Sequence, residues 1–241
     1  MSSSSSKFKN FSEKYPLFKK LYFFYNIYIR NYKFYFKTSQ FDEDKQILKN
    51  FPKNYSGIYL DVGAFHPIKV SNTYRMHKNG WKGINIDMNP FSIELFKYAR
   101  PKDINICAAI SNKESYQISY FHNDQSPLNT IDKNHTKFLK SNFGIKDLKK
   151  KRVKTKTLNK ILKSNNIKKI DFFNIDIEGH ELEVIKSIDF NQFDIKVICV
   201  EILNHNESAK KKSKILLDIL KKKNFKLKYR SPINYIFKKI N

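Results

Sequence analysis

The chain has 241 residues, 40% of them hydrophobic, with 47 Lys or Arg against 22 Asp or Glu and a formal net charge of +25. This length fits one α/β domain with an appendage, and the hydrophobic fraction is enough for a core. The two cysteines, Cys107 and Cys199, lie in apolar runs, where we expect buried thiols of a reducing cytoplasm rather than a disulfide framework or a metal motif. No run of about twenty apolar residues occurs, and the start MSSSSSKFKN lacks the apolar core of a signal peptide, so we expect no membrane-spanning helix and a cytoplasmic location.

The positive charge has two interpretations. It predicts a partner that carries phosphate or acid groups, such as nucleic acid, anionic lipid or an acidic glycan. Alternatively it reflects composition alone, since the chain is crowded with Lys, Asn, Ile, Phe and Tyr, whose codons are rich in A and T. Arginine, which usually dominates specific phosphate and base contacts, is scarce here, and this favours the compositional interpretation over nucleic acid.

Residues 1–56 form a basic and aromatic extension before the regular part of the chain. Residues 1–14 are a serine run with polar and basic residues, typical of a disordered tip. Residues 15–37 interleave aromatic and aliphatic residues with Lys and Arg, which indicates a helix packed on the following domain or on a second subunit of a homodimer. The same pattern is typical of a segment lying in a membrane interface, here peripherally at the inner membrane face. A short helix is predicted over residues 42–50.

Residues 57–241 alternate between strand and helix patterns, as expected of one α/β domain. Strands are predicted over residues 58–61, 83–87, 104–109, 170–177 and 195–203, and helices over 72–78, 90–99, 157–164, 181–187 and 207–223. Residues 115–121 predict an extra edge strand, and the irregular residues 122–150 predict a lid or substrate loop. Residues 225–229 and 234–238 predict an antiparallel hairpin that closes a mainly parallel, twisted sheet flanked by helices. This layout is that of the class I methyltransferase Rossmann-like fold, whereas doubly wound NAD-binding domains usually stay parallel throughout.

Acidic residues follow the first two predicted strands. Asp61 opens a turn in which Gly63 lets the backbone close against a ligand, and Asp87 follows at the distance expected of an acid that binds ribose hydroxyls. The turn is not the glycine-rich cradle that a pyrophosphate needs, so it favours S-adenosylmethionine over NAD. Small residues after the third strand offer room for an adenine ring. The predicted cofactor contacts are Asp61, Gly63, Ala64, Asn72, Asp87, Asn89 and Ala109.

A second polar group, NIDIEGHE, ends the fourth main strand. Asp176 and Glu178 alternate on one face of that predicted strand, where two carboxylates repel unless a cation or a hydrogen-bond donor lies between them. They are suited either to general-base catalysis on a hydroxyl or to binding a divalent cation such as Mg²⁺. His180, and His205 after the next strand, are further base candidates, and the sequence does not decide among the four. Glu181 is predicted to be a charge favoured at a helix start.

Several strings together resemble the FkbM family of S-adenosylmethionine-dependent methyltransferases. They are DVGAFHP, SNTYRMHKNGWKGINIDMNP, KTLNKIL, IDFFNIDIEGHELEVIKS, VICVEI and SPINYIF, and the match covers roughly residues 57–238 in the family's order. The resemblance implies a class I methyltransferase fold and O-methylation of a hydroxyl, often on a sugar of a bacterial surface polysaccharide or on a secondary metabolite. The residues that match family positions are Asp61, Gly63, Ala64 and Asp87 for the cofactor, and Asp176, Glu178, Gly179 and His180 beside the reacting centre. The pair His66-Pro67 departs from the family's commoner turn.

Three other functions are compatible with parts of the sequence. The charge of +25 suggests an RNA methyltransferase, although an appended RNA-binding motif is missing from the sequence. The basic aromatic segment suggests a non-catalytic, membrane-associated scaffold that keeps the fold. A dehydrogenase is disfavoured by the missing second and third glycines of a dinucleotide-binding turn.

Overall fold

The computed structural model describes residues 15–145 and 147–240, and the polar tip expected over residues 1–14 lies outside that part of the chain. The strands are β1 (Ile58–Val62), β2 (Lys82–Asp87), β3 (Ile104–Cys107), β4 (Ala109–Ile110), β5 (Tyr116–Phe121), β6 (Lys149–Lys156), β7 (Lys169–Ile175), β8 (Asp194–Glu201), β9 (Phe225–Arg230) and β10 (Asn234–Lys239). The α-helices are α1 (Pro16–Phe24), α2 (Glu43–Leu48), α3 (Tyr74–Lys78), α4 (Pro90–Ala99), α5 (His135–Phe143), α6 (Leu158–Ser164), α7 (Glu181–Ser187) and α8 (Glu207–Lys222).

The main sheet of the described residues has seven strands in the order β3-β2-β1-β7-β8-β10-β9. Strands β3, β2, β1, β7 and β8 are mutually parallel, while β10 runs antiparallel to both β8 and β9. The predicted fold class, a mainly parallel sheet closed by an antiparallel C-terminal pair, is therefore confirmed. Because the order reverses between β1 and β7, the connections that leave their carboxyl ends go to opposite sides, which opens the crevice where open α/β sheets bind ligands.

Both faces of the sheet are covered, as the continuous apolar runs of its central strands require. Two consecutive residues of β7 illustrate this, since Phe172 and Phe173 point to opposite faces, are both fully buried and belong to different core clusters. Phe173 packs in the larger cluster, to which α6, α7 and α8 contribute apolar residues, and Phe172 packs with Met76 and Trp81 on the other face. The sheet is thus a rigid platform that fixes the positions of its strand ends.

The predicted strand over residues 104–109 is divided in two. The Ala108 N–H donates to the Asp87 carbonyl at 2.9 Å, and the chain then leaves the main sheet so that Ala109 pairs with Thr155 in a small sheet of order β4-β6-β5. The expectation of a buried Cys107 thiol is wrong, because this residue ends the outermost strand β3 and is exposed, whereas Cys199 on the inner strand β8 is buried.

Strand β7 ends at Ile175, two residues before its predicted end. The Asp176 N–H donates to the Val62 carbonyl at 3.0 Å, and the positive φ angles of Glu178 (58°) and Gly179 (96°) then turn the chain sharply. The premise that Asp176 and Glu178 alternate along a strand is therefore wrong, since both lie in the turn after it.

The extension folds onto the domain as helix α1, a π-helical turn (Tyr25–Ile29), a 3₁₀ turn (Tyr32–Tyr35) and helix α2. Phe23 and Ile27 are buried in a cluster with residues of α4, which confirms that residues 15–37 pack on the domain. Among the helices of the described residues, none has the length and apolar character needed to cross a membrane.

Candidate active site at the carboxyl edge of the sheet

A cavity of about 540 Å³ lies at the carboxyl ends of β1, β2, β7 and β8. This volume is within the usual range for a site that encloses a small ligand. Of the predicted cofactor residues, the cavity is lined by Asp61, Gly63, Ala64, Asn72, Asp87 and Ala109. Asp176 and Glu178 line the same cavity, so the fold joins the predicted cofactor turn and the predicted carboxylates in one space.

The turn after β1 is held by three strands at once. Gly63 has a φ of +82°, and a Cβ atom at this position would lie 1.6 Å from the Asp176 carbonyl oxygen. The Gly63 and Ala64 N–H groups both donate to the Ile86 carbonyl, at 2.9 and 3.2 Å. Glycine is therefore required because the ends of β1, β2 and β7 meet here without room for a side chain.

Asp87 uses its carboxylate to connect the ends of β1 and β2. Oδ2 accepts the Phe65 N–H at 2.8 Å, and Oδ1 accepts the Asn89 N–H at 2.7 Å. Burial raises the pKa of Asp87 to about 6. Each carboxylate oxygen can accept a second hydrogen bond, so Asp87 can still receive hydroxyl donors from a ligand in the cavity.

Asn89 lies beside this carboxylate but outside the cavity lining. Its Oδ1 accepts the Phe91 N–H at 3.1 Å and caps helix α4, while its Nδ2 donates to the Asp124 carbonyl at 2.7 Å. Both ends of this side chain are thus occupied by the protein.

Asp61 is the centre of a buried chain of polar side chains. Its Oδ1 accepts Asn174 Nδ2 at 2.9 Å, its Oδ2 accepts the Thr73 hydroxyl at 2.7 Å, and Asn72 Nδ2 donates to Asn174 Oδ1 at 3.0 Å. Burial raises the pKa of Asp61. The network fixes the orientation of Asn72, whose side chain lines the cavity.

Carboxylates converge on the opposite wall of the cavity. Burial raises the pKa of Glu178 to about 7, and burial together with the Glu178 charge raises that of Asp176 well above its ordinary value. Burial and the neighbouring Asp176 do the same to the pKa of Glu201, which also lines the cavity. A group with a pKa close to neutrality is suited to accept a proton at physiological pH.

Glu181 shapes this wall rather than presenting a free charge at a helix start. Its Oε1 accepts the Ile177 N–H at 2.9 Å and the Gly179 N–H at 3.1 Å. The carboxylate therefore holds the turn in which Glu178 has its left-handed backbone. Such backbone strain is common at functional sites.

The predicted histidines lie outside the cavity lining, and a different histidine approaches it. His180 Nε2 is 3.0 Å from the Ser111 hydroxyl, and the exposed His205 stacks on Phe138 with ring centroids 4.0 Å apart. His135, which sequence reasoning missed, is buried with Nε2 at 2.9 Å from Glu178 Oε2. The pair is close without hydrogen-bond alignment, since neither ring nitrogen of His135 has an aligned partner among the described residues.

Arg100 is a second residue that the sequence did not indicate. Its guanidinium is 1% exposed, and its donors reach the Tyr59 hydroxyl (2.8 Å), the Thr73 hydroxyl (3.0 Å), the Ser71 hydroxyl (3.2 Å) and the Pro67 carbonyl. Thr73 in turn donates to Asp61. Arg100 therefore connects the loop after β1 to Asp61 through Thr73, although only its tertiary position reveals this.

His66 organises the same loop instead of facing the cavity. Its Nδ1 accepts the Ile68 and Lys69 N–H groups at 3.1 and 2.9 Å, and its Nε2 lies 3.3 Å from Asn31 Nδ2 of the N-terminal extension. Burial lowers the pKa of His66 to about 3, so the ring is neutral at physiological pH. His66 therefore holds the loop and does not line the cavity.

Part of the irregular segment over residues 122–150 covers the cavity. Residues 126–129, Ile131, Phe138 and Phe143 line it, and the Thr130 hydroxyl donates to the Glu178 carbonyl at 2.8 Å. Within residues 15–145 and 147–240, no group of three or more His, Cys, Asp or Glu side chains is arranged to hold a metal ion.

The family model for the methyltransferase FkbM domain matches residues 61–227, which is more than half of the chain. The chain belongs to the FkbM methyltransferase family. A search of curated proteins gave no match. The matched region runs from Asp61, at the turn after β1, to Leu227 in β9, and it includes the cavity residues Asp87, Asp176 and Glu178.

Proposed function

We propose that this FkbM methyltransferase uses S-adenosylmethionine to methylate a hydroxyl group, with a sugar of a surface polysaccharide or related glycan as the acceptor. One observation carries the proposal: a single cavity contains the Asp87 carboxylate on one wall and the high-pKa carboxyls Asp176 and Glu178 on the other. The sugar class of the acceptor rests on the family resemblance.

The cavity wall around Asp87, which we call the cofactor wall, has the donors and acceptors that an adenosine cofactor needs. Asp87 keeps acceptor capacity for the two ribose hydroxyls, and the small residues Ala108 and Ala109 line the cavity beside it. Asn72 and Gly63 line the part of the cavity near the β1 turn, where the methionine moiety would bind. S-adenosylmethionine supplies an electrophilic methyl group when bound.

Glu178 is the base that we assign to the acceptor hydroxyl. Its pKa of about 7 gives a useful fraction of carboxylate at neutral pH together with enough basicity to take the hydroxyl proton. Burial and the Glu178 charge favour the protonated form of Asp176 beside it, which is the form that can donate a hydrogen bond. The cavity holds the methyl acceptor and the methyl donor together, and this positioning supplies much of the acceleration of methyl transfer.

Calorimetric titration with S-adenosylmethionine tests the cofactor assignment. We expect binding by the wild type, and a loss of about tenfold or more in Asp87→Ala because two hydroxyl hydrogen bonds to a charged group disappear. Affinity should also fall below about pH 6, where Asp87 becomes protonated. Asp194→Ala, at an exposed position at the start of β8, is the matched control and should bind normally. A wild type that ignores the cofactor would refute the proposal.

Methyl transfer to a panel of sugar hydroxyls, amines and RNA, assayed with and without a chelator, tests the acceptor and the metal. We expect transfer to a sugar hydroxyl that survives chelation, since Glu178 acts as a base in this proposal. Loss of turnover on chelation, with recovery in Mg²⁺, would instead assign Asp176 and Glu178 to a metal ion. Transfer confined to amines or RNA would overturn the acceptor class.

A further inference from the structure

The N-terminal extension presents a series of large apolar side chains to solvent, which we call the outer face. Its members, each between 45% and 84% exposed, are Leu17, Leu21, Phe24, Tyr25, Ile29, Tyr32 and Phe36. Large apolar side chains in such number on one surface are unusual for a soluble monomer, and they mark a contact surface.

The outer face is opposite the side that packs on the domain. Phe23 and Ile27, one helical turn apart, are buried against Phe91 and Leu95 of α4. The outer residues recur at steps of three and four along the helical turns, and therefore form a second stripe on the other side. The inner stripe provides the packing on α4, and the outer stripe is left facing solvent.

The charged residues of the segment that forms the outer face have one sign. Residues 14–41 contain no Asp or Glu. Lys20, Arg30, Lys33 and Lys37 are exposed beside the apolar stripe, whereas Lys19 pairs with Glu94 of α4 at 2.9 Å. Aromatic and aliphatic side chains flanked by basic residues are the composition of segments that lie in the headgroup region of an anionic bilayer.

We propose that the outer face docks this protein peripherally on an anionic lipid bilayer. Apolar side chains enter the headgroup and acyl boundary, and the lysines extend toward lipid phosphates while their stems remain on apolar surface. A second copy of the chain is a poorer occupant, because apposing two outer faces would bring together basic clusters with no acidic residue between them. The proposal does not depend on the acceptor or on methyl transfer.

The docked face would lie next to the segment that covers the cavity. Arg30 donates to the Gln125 side-chain carbonyl, and Gln125 Nε2 lies 3.2 Å from both the Tyr22 hydroxyl and Asn26 Oδ1. Ser126, the next residue, lines the cavity. Docking would therefore hold the cavity close to the bilayer surface, where a lipid-linked acceptor could be presented.

Co-sedimentation of the full chain with vesicles tests the proposal. We expect binding to vesicles of phosphatidylcholine with phosphatidylglycerol, little binding to phosphatidylcholine alone, and a decline as salt rises. The double variant Leu21→Glu, Ile29→Glu should bind at least about tenfold more weakly because it removes two inserting side chains. Leu227→Glu and Ile118→Glu alter residues of similar exposure on other surfaces and should bind like the wild type.

A second variant keeps the test decisive if the double variant folds poorly by circular dichroism. Lys33→Gln and Lys37→Gln leave the packed stripe untouched, and each should weaken anionic vesicle binding by about fivefold. Equal binding by the wild type and these variants would overturn the proposal. A concentration-dependent dimer in sedimentation equilibrium, abolished by Leu21→Glu, Ile29→Glu and without vesicle binding, would instead assign the outer face to a second copy.

Discussion

Replacing Glu178 with glutamine removes a carboxyl group that the turn after β7 holds beside Asp176, with only 13% of the side chain exposed. The pKa of Glu178 is about 7 in the folded protein, against an ordinary value of 4.5. Ionising it in the fold therefore costs about 3 kcal/mol more than in the unfolded chain. Between these two pKa values the unfolded state binds fewer protons, so the contribution of Glu178 to stability falls as pH rises.

The Glu178→Gln variant should escape this cost. We expect it to be more stable than the wild type by about 3 kcal/mol near pH 7.5, but by less than about 1 kcal/mol near pH 5, where the folded carboxyl is protonated. Removal of the Glu178 charge also relieves repulsion of Asp176. Urea unfolding at the two pH values measures the difference, and Glu207→Gln, whose side chain is 88% exposed, should change stability by no more than about 0.5 kcal/mol.

The same variant separates stability from catalysis. Once an acceptor is identified, the rate of methyl transfer by Glu178→Gln should be about a hundredfold or more below that of the wild type. The rise in kcat/KM toward pH 7 that we expect of the wild type should be absent in the variant. A variant less stable than the wild type at pH 7.5 would show that the site favours the ionised carboxylate, contrary to the pKa argument. Retained turnover with an unchanged pH profile would show that another group removes the proton.

Three further substitutions test how the site is built, each by urea unfolding. Arg100→Met leaves several buried acceptors without a donor and should lower the free energy of unfolding by about 3 kcal/mol; a loss below about 1 kcal/mol would show that water replaces the guanidinium. Burial lowers the pKa of His66 to about 3 in the folded protein, so the contribution of the neutral ring to stability is complete above its ordinary pKa of 6.5 and falls as pH drops below that value. Between about pH 7.5 and 5.5 the free energy of unfolding of the wild type should therefore fall by about 1 kcal/mol more than that of His66→Gln. Parallel pH curves for the two proteins would contradict this. Gly63→Ala places a Cβ on the Asp176 carbonyl and should prevent folding, whereas Gly144→Ala, also at positive φ but with open space around it, should cost about 1 kcal/mol.

The strand ends and their acids were predictable from the sequence, because they depend on local patterns. Apolar runs set the strands, and polar residues directly after them must lie at the carboxyl edge of a parallel sheet. Four acids were therefore expected at one edge, and the structure places all of them around one cavity: Asp61, Asp87, Asp176 and Glu178. The antiparallel pair of strands at the C-terminal end of the sheet was equally predictable, since period-two alternation in two neighbouring segments indicates a hairpin.

The positions of the histidines and of Arg100 were decided only by the tertiary structure. His180 and His205 follow strands as the acids do, yet the turn held by Glu181 directs His180 toward Ser111, and His205 stacks on Phe138. His135 reaches Glu178 from a helix more than forty residues earlier in an irregular segment.

The physical reason is the range of the interactions. Periodicity reports which face of a strand or helix is buried, a property of neighbouring residues. The partner of a buried polar side chain is selected by the requirement that it be hydrogen-bonded once packing has excluded water. Arg100 contacts the loop after β1, and Glu178 contacts His135, because the sheet brings their elements together. The local sequence around one partner contains no pattern that predicts the other partner.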